Sequence, residues 1–173
     1  SSDLPPRRYP GGVPSLRPVR SALVIATVAL TAAATLTGCS STVSMEPAAS
    51  ANDPACAEVM VRLPDTVGGE QRRWTDAQAT ASWGDPSTVL MTCGLDAVDA
   101  STLPCQSAGG VDWLIDESQA PNYRFVSFGR EPAIEVYLDN EVVSSRDVLE
   151  RIGAVADDAL SPTGAVCTDR PTD

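Results

Sequence analysis

The chain has 173 residues with twelve arginines, no lysine and no histidine, and its 23 acidic residues give a formal net charge of -11 at pH 7. Without histidine there is no ready general base near neutral pH and no imidazole metal ligand, and without lysine there is no Schiff base and no phosphate-loop amine. The negative charge repels phosphate backbones, so we expect no nucleic-acid partner.

The first 38 residues have the pattern of an export signal. A stretch rich in Pro, Gly and Arg, PPRRYPGGVPSLRPVR, precedes eighteen uncharged and mildly apolar residues, 21–38. A basic stretch followed by an apolar one is typical of a signal peptide. Because the apolar stretch is near the lower limit of about 17 to 25 residues for crossing a bilayer, an uncleaved membrane anchor is one alternative. A buried core helix is the other.

The stretch Leu36-Thr37-Gly38-Cys39 decides among these alternatives, because it resembles the bacterial lipobox of an aliphatic residue, two small residues and a cysteine. In lipoproteins with this motif the cysteine sulfur is joined to diacylglycerol, and a signal peptidase cuts just before it. The resemblance implies cleavage between Gly38 and Cys39 and lipid attachment at Cys39. The two acyl chains of diacylglycerol bind a protein firmly to a membrane, because each buried methylene contributes about 0.8 kcal/mol to the binding free energy. We therefore expect the mature protein on the outer face of the cytoplasmic membrane.

The exported part is predicted to begin with a flexible tether over 39–53 and a helix over 54–63. The tether is rich in Ser, Ala and Pro, a composition typical of linkers. Asp53 and Pro54 are favourable residues at the start of a helix, and Pro64 ends it. The apolar residues of this helix recur at i, i+3, i+4 and i+7, namely Cys56, Val59, Met60 and Leu63.

Residues 70–139 carry strand signals separated by turn residues. The five predicted strands are EQRRWTD (70–76), STVLMTC (87–93), VDWLIDE (111–117), YRFVSF (123–128) and AIEVYLD (133–139). The short GREP between the last two predicts an antiparallel hairpin.

A second helix is predicted after the strands, because Ser144 and Asp147 resemble a capping box that leads into VLERIGAVADDAL (148–160). The order of a helix, several strands and a helix, without βαβ alternation, predicts an α+β domain over 54–168. We expect a mostly antiparallel sheet of about five strands, with the N-terminal and C-terminal helices packed on one face. Residues 169–173 are predicted to be a tail.

Three stretches of the exported part, WGDPSTVLMTCG, VDW and GREPAIEV, resemble an uncharacterised family of actinobacterial lipoproteins that is defined as a domain of unknown function. The resemblance covers about 55 to 165. It implies an extracytoplasmic domain and implies no activity. The matching positions are Trp83, Gly84, Asp85, Pro86, Val89, Leu90, Cys93, Gly94, Val111, Trp113, Gly129, Arg130, Pro132, Ala133, Glu135 and Val136.

Two places in these stretches are candidate ligand sites. In WGDP, an exposed Trp83 would stack on a sugar or a peptide while Asp85 accepts hydrogen bonds, and the alternative is a turn beside a core tryptophan. Arg130, with Glu131 and Glu135 nearby in sequence, is a candidate carboxylate-binding site. The alternative there is a surface ion pair at the end of the hairpin.

The sequence contains no recognisable catalytic or metal-binding set, and we expect no cofactor. Three pairs of acids are close in sequence, and none has the spacing of a calcium loop or of a known catalytic motif. They are Asp96 with Asp99, Asp112 with Asp116, and Asp157 with Asp158.

Four cysteines remain once Cys39 carries the lipid. In an oxidising compartment an even number predicts two disulfides, with reduced buried thiols as the alternative, and four cysteines allow three pairings. Cys93 ends one predicted strand and Cys105 precedes the next, so we expect these two to be joined. Cys56 and Cys167 are then the second pair, because both predicted helices should cover the same face of the sheet.

The expected function is that of a lipid-anchored envelope lipoprotein, a non-enzymatic module that binds an envelope protein or a small ligand. A purely structural role in a membrane complex is a further alternative. The enzymatic alternative is a carboxylate-dependent hydrolase that acts on cell-envelope polymers, with Trp83 as a stacking platform.

Overall fold

The computed structural model describes residues 42–168. The predicted signal peptide over 1–38, the cleavage and lipidation site at Gly38 and Cys39, and the predicted tail over 169–173 lie outside the described residues. Within residues 42–168, no helix combines the length and the apolar character needed to cross a membrane.

The two predicted helices are confirmed. Helix α1 spans Pro54–Arg62, and its N-cap Asp53 accepts a hydrogen bond of 2.8 Å from the backbone N–H of Ala55. Helix α2 spans Ser145–Ala159 and begins at the N-cap Ser144, whose side chain also accepts a backbone N–H of the first turn. Both helices therefore begin directly after the capping residues from which their starts were predicted.

Ten strands follow α1 in the chain and flank α2. They are β1 (Thr66–Val67), β2 (Glu70–Arg73), β3 (Thr80–Trp83), β4 (Val89–Leu95), β5 (Cys105–Ala108), β6 (Val111–Gln119), β7 (Asn122–Phe128), β8 (Arg130–Glu131), β9 (Ala133–Asp139) and β10 (Ser161–Pro162). Eight of them form one sheet in the order β1-β2-β3-β4-β9-β7-β6-β5, in which every neighbouring pair is antiparallel. Strands β8 and β10 form a separate two-stranded ribbon.

The α+β class, the antiparallel sheet and the hairpin of β7 with β9 are confirmed, whereas the predicted number of about five strands is wrong. The missing strands of the main sheet are β1, β3 and β5, which have two, four and four residues. Strands this short show little alternation of apolar and polar residues. In β3 all four residues are buried, so buried and exposed positions do not alternate at all.

The two faces of the sheet differ in character. On one face, alternate residues of β4 and β9 such as Met91, Cys93 and Val136 are fully buried and share one apolar core with Val59 of α1 and Ile152 of α2. The opposite face, here called the open face, carries directly paired residues that are mostly half-buried. It includes Leu90, Thr92, Asp112, Leu114, Asp116, Arg124, Val126, Phe128, Glu135 and Tyr137.

The described part of the predicted tether, residues 42–53, forms hydrogen bonds with the domain. The backbone N–H of Val43 donates to the carbonyl of Trp74 at 2.8 Å, and the N–H of Ser50 donates to the carbonyl of Gly94 at 3.0 Å. Ala51 is buried. The amino-acid composition of this segment is that of a linker, and composition contains no information about hydrogen-bond partners that are distant in the sequence.

The predicted disulfides Cys93–Cys105 and Cys56–Cys167 are wrong. The structure joins Cys56 of α1 to Cys93 of β4, and Cys105 of β5 to Cys167 near the C-terminus, each with a Cα–Cα distance of 5.6 Å. The prediction assumed that strands consecutive among the five predicted ones are neighbours. In the sheet, β9, β7 and β6 lie between β4 and β5. Cys93 and Cys105 are thus separated by about four strand spacings of roughly 4.8 Å, too far for a bond.

Candidate functional site

Trp83 is a core residue and not a stacking platform. It has no exposed surface, and its indole N–H donates to the carbonyl of Pro64 at 3.1 Å. Asp85, two residues later, is exposed and forms a surface ion pair with Arg73 at 3.0 Å. The structure therefore supports the turn interpretation of WGDP, with the tryptophan buried beneath the turn.

Arg130 holds three parts of the domain together. Its guanidinium donates to the carbonyl of Gly110 in the β5–β6 turn at 2.9 Å and to that of Leu160 after α2 at 3.4 Å. It also forms an ion pair with Asp157 of α2. With these partners and a side chain only 14% exposed, Arg130 is committed to the fold and does not form the predicted carboxylate-binding site with Glu131 and Glu135.

Glu135 lies elsewhere, on the open face. Its carboxylate is 3.5 Å from the guanidinium of Arg124 on the neighbouring strand β7. On β4 its paired residue is Thr92, and on β7 it is Val126. The four predicted ligand residues therefore do not converge on one site.

A cleft of about 900 Å³, here called the edge cleft, opens beside the edge strand β5. It is lined by residues 99–107 and 165–168 and by the side chains of Leu114 and Phe128 from the open face. Leu103 is 42% exposed at its rim. Among the described residues that line the cleft, Asp99 carries the one charged side chain, and most other polar groups are hydroxyls and an amide.

The walls of the edge cleft are fixed by covalent and hydrogen bonds. The disulfide Cys105–Cys167 joins its two sides. The backbone N–H of Cys167 donates to the carboxylate of Asp112 at 2.6 Å, and the hydroxyl of Ser107 donates to the other oxygen of the same carboxylate. The edge cleft is thus a pre-formed concave surface with both apolar and polar groups in its lining, which makes it a candidate binding site.

Three members of the acidic pairs have surroundings that do not suit paired-carboxylate catalysis. Asp112 is engaged by the C-terminal segment, and Asp157 is engaged by Arg130. Asp116 is half-buried, and hydrogen bonds from the hydroxyl and then the backbone N–H of Ser118 lower the pKa of its carboxyl. A carboxyl that acts as a general acid needs a raised pKa, the opposite direction. Within residues 42–168 no three cysteine or acidic side chains are arranged to hold a metal ion.

A family model described as Protein of unknown function (DUF3515) matches residues 19–163, which is most of the chain. The chain belongs to this family. No curated protein and no solved structure matches it significantly. The DUF3515 match includes the apolar segment over 21–38, Cys39 and most of the folded domain, and the family description assigns no activity.

The DUF3515 domain exposes one tryptophan that sequence reasoning missed. Trp74, which follows β2, is 79% exposed, whereas Trp83 and Trp113 have no exposed surface. A signal was present in the sequence, because Trp74 stands in the polar stretch EQRRWTD. Its neighbours at i−2 and i+2, Arg72 and Asp76, do not continue an apolar face.

Proposed function

We propose that this DUF3515 protein is a lipid-anchored extracytoplasmic lipoprotein that works as a non-enzymatic binding module of the cell envelope. The anchor is supported by the lipobox resemblance at residues 36–39 and by a family match that begins at residue 19, before the apolar segment. The lipid is attached at Cys39 and holds the domain on the outer face of the cytoplasmic membrane.

The observation that carries the binding role is the edge cleft beside an open sheet edge. Strand β5 ends the sheet and has a strand neighbour, β6, on one side only. An unpaired strand edge offers backbone N–H and C=O groups to an extended segment of another chain, and an adjoining pocket receives its alternate side chains. The apolar side chains of Leu103, Leu114 and Phe128 favour apolar residues in that segment. The proposed partner is thus an extended, apolar segment of an envelope protein.

The hydrolase alternative has no observation in its favour. Trp83, its proposed stacking platform, is buried, and Asp112 and Asp157 each serve a structural partner. Enzymatic action on an envelope polymer would also require a nucleophile or an acid in a cleft. In the edge cleft that acid would have to be Asp99, whose side chain accepts a hydrogen bond from the hydroxyl of Thr163.

Photo-crosslinking in the native membrane tests the binding role. A benzophenone amino acid at Leu103 is expected to give a discrete protein adduct, identified by mass spectrometry, because Leu103 lies at the rim of the edge cleft. The same amino acid at Val142, which is 55% exposed in the β9–α2 loop, is the matched control and should give no such adduct.

Three outcomes contradict the proposal. Identical adducts at both positions would mean non-specific contact, and an adduct of low mass at Leu103 would indicate a small ligand in place of a protein segment. A mature N-terminus other than diacylglyceryl-modified Cys39, measured by mass spectrometry, would refute the lipid anchor.

A further inference from the structure

The segment that would follow the lipid anchor is held against the β2–β3 loop. The N–H of Val43 donates to the carbonyl of Trp74, and the N–H of Asp76 donates back to the carbonyl of Val43 at 3.2 Å. The carboxylate of Asp76 accepts from the hydroxyl of Ser44 at 2.9 Å and from the N–H of Met45 at 2.8 Å. These bonds attach the chain to the domain immediately after its proposed point of lipidation.

The covalent chain limits how far this loop can lie from the lipid. Three residues lie between Cys39 and Val43, so the two Cα atoms are four steps apart; at no more than about 3.6 Å per step, a fully extended chain spans roughly 14 Å here. The polar headgroup layer of one leaflet is itself about 5 to 8 Å thick. With diacylglycerol on Cys39, the β2–β3 loop must therefore lie close to the headgroups.

Trp74 is the residue in this loop that suits such a location. Its side chain is 79% exposed and its own carbonyl accepts the bond from Val43. Tryptophan favours the membrane–water interface because its ring is largely apolar and its N–H stays hydrogen-bonded in the headgroup layer. The charged groups beside it are already engaged, since Arg73 pairs with Asp85 and Asp76 accepts the bonds described above.

We infer that Trp74 inserts into the headgroup layer beside the lipid and holds the β1–β2 edge of the sheet toward the membrane. The inference rests on the proposed lipid attachment at Cys39. The edge cleft lies at the opposite edge of the sheet. Six strand spacings separate β2 from β5, or about 30 Å at roughly 4.8 Å per strand. The edge cleft is thereby directed away from the membrane and toward a partner in the envelope.

Tryptophan fluorescence tests this directly, because Trp83 and Trp113 are buried and iodide in the water quenches only an exposed indole. The full lipidated protein is reconstituted into phosphatidylcholine vesicles, with a second sample in vesicles of brominated phosphatidylcholine. We expect weak quenching by iodide and strong quenching by the brominated lipid. The variant Trp74→Phe should lose the brominated-lipid quenching and keep the emission of the two buried tryptophans.

A spacer variant supplies the exposed reference. A Gly/Ser insertion of about twenty residues between Ser40 and Ser41 adds roughly 25 Å of r.m.s. length and frees the loop from the anchor. Iodide quenching of Trp74 should then rise severalfold while quenching by the brominated lipid falls.

The outcomes separate this inference from the anchor on which it rests. Wild-type protein that floats with the vesicles, but whose Trp74 is quenched by iodide as strongly as in the spacer variant, overturns the inference and leaves the lipid anchor intact. Protein that does not float with the vesicles refutes the lipid attachment and the inference together.

Discussion

At the scale of single residues, the surroundings decide what each tryptophan and each arginine does. Trp113 could be predicted from the sequence, because Val111, Trp113 and Ile115 alternate in a long strand, and Val111 and Trp113 are fully buried. Trp83 was open to two interpretations, since the four residues of β3 carry no alternation. Arg130 could not be assigned, because Gly110, Asp157 and Leu160 are 20 or more residues away in sequence.

Asp76 makes the docking of the N-terminal segment dependent on pH. The hydrogen bond from the N–H of Met45, followed by that from Ser44, lowers the pKa of the Asp76 carboxyl below its ordinary value. A lowered pKa in the folded state means that the ionised form stabilises the docked segment at pH values above about 4. That stabilisation is lost as the pH falls through the folded-state pKa.

We therefore predict that the hydrogen-exchange protection of the Met45 amide is constant near neutral pH and falls below about pH 4. The amide of Ser50, which donates to the carbonyl of Gly94, is the internal control, because a carbonyl does not titrate in this range. In Asp76→Asn the protection at Met45 should be weaker at neutral pH and should lose its acid dependence. Equal acid dependence at Met45 in the variant would show that another group is responsible.

At the scale of elements, the sequence predicted the helices and strands that depend on neighbouring residues, and it missed the features that depend on residues distant in the sequence. The two helices were found because their N-caps, Asp53 and Ser144, are adjacent to the helices they start. The five predicted strands correspond to β2, β4, β6, β7 and β9. The docking of residues 42–53 was missed because it depends on contacts with Trp74, Asp76 and Gly94.

Gly94 is the element-level feature that allows this docking. Its φ is +107°, and a Cβ added there would lie 2.5 Å from the carbonyl carbon of Ser50. We predict that Gly94→Ala lowers the free energy of unfolding by more than about 1 kcal/mol and exposes residues 42–51 to limited proteolysis.

Gly164→Ala is the matched control for that substitution. Gly164 has a similar φ of +100°, but nothing lies within 4 Å of an added Cβ, so only the backbone strain is introduced. Chemical denaturation and limited proteolysis of the two variants distinguish the effect of backbone strain, which both share, from that of the steric clash with Ser50, which only Gly94→Ala has. Similar proteolysis of the N-terminal segment in both would contradict the role given to Gly94.

At the scale of the whole molecule, the strand order determines which cysteines meet, and a single sequence does not provide that order. The two disulfides close loops with sequence separations of 37 and 62. Each is therefore expected to contribute about 4 kcal/mol in the chain-entropy account, which is comparable to the net stability of a small domain.

We predict that the double variant Cys56→Ala with Cys93→Ala unfolds at lower denaturant concentration by an amount equivalent to about 4 kcal/mol, or does not fold at all. Cys105→Ala with Cys167→Ala should be destabilised by a similar amount and should also lose the Leu103 adduct, because the walls of the edge cleft are no longer joined. Non-reducing peptide mapping of the wild type checks the pairing. A peptide that links Cys93 to Cys105 would contradict the structure.

The same two bonds determine how the protein would respond to a pulling force between a membrane anchor and a partner. The shortest covalent path from Cys39 to Cys105 runs along the chain to Cys56, crosses to Cys93 and continues to Cys105. If every non-covalent contact within the domain gave way while the partner stayed bound, only residues 40–55 and 94–104 would stretch along this path. Its length would stop at roughly 100 Å, whereas the same chain without the Cys56–Cys93 bond would reach roughly 230 Å. A partner attached at Cys105 would stay tethered within the shorter distance of the membrane even while the sheet is pulled apart.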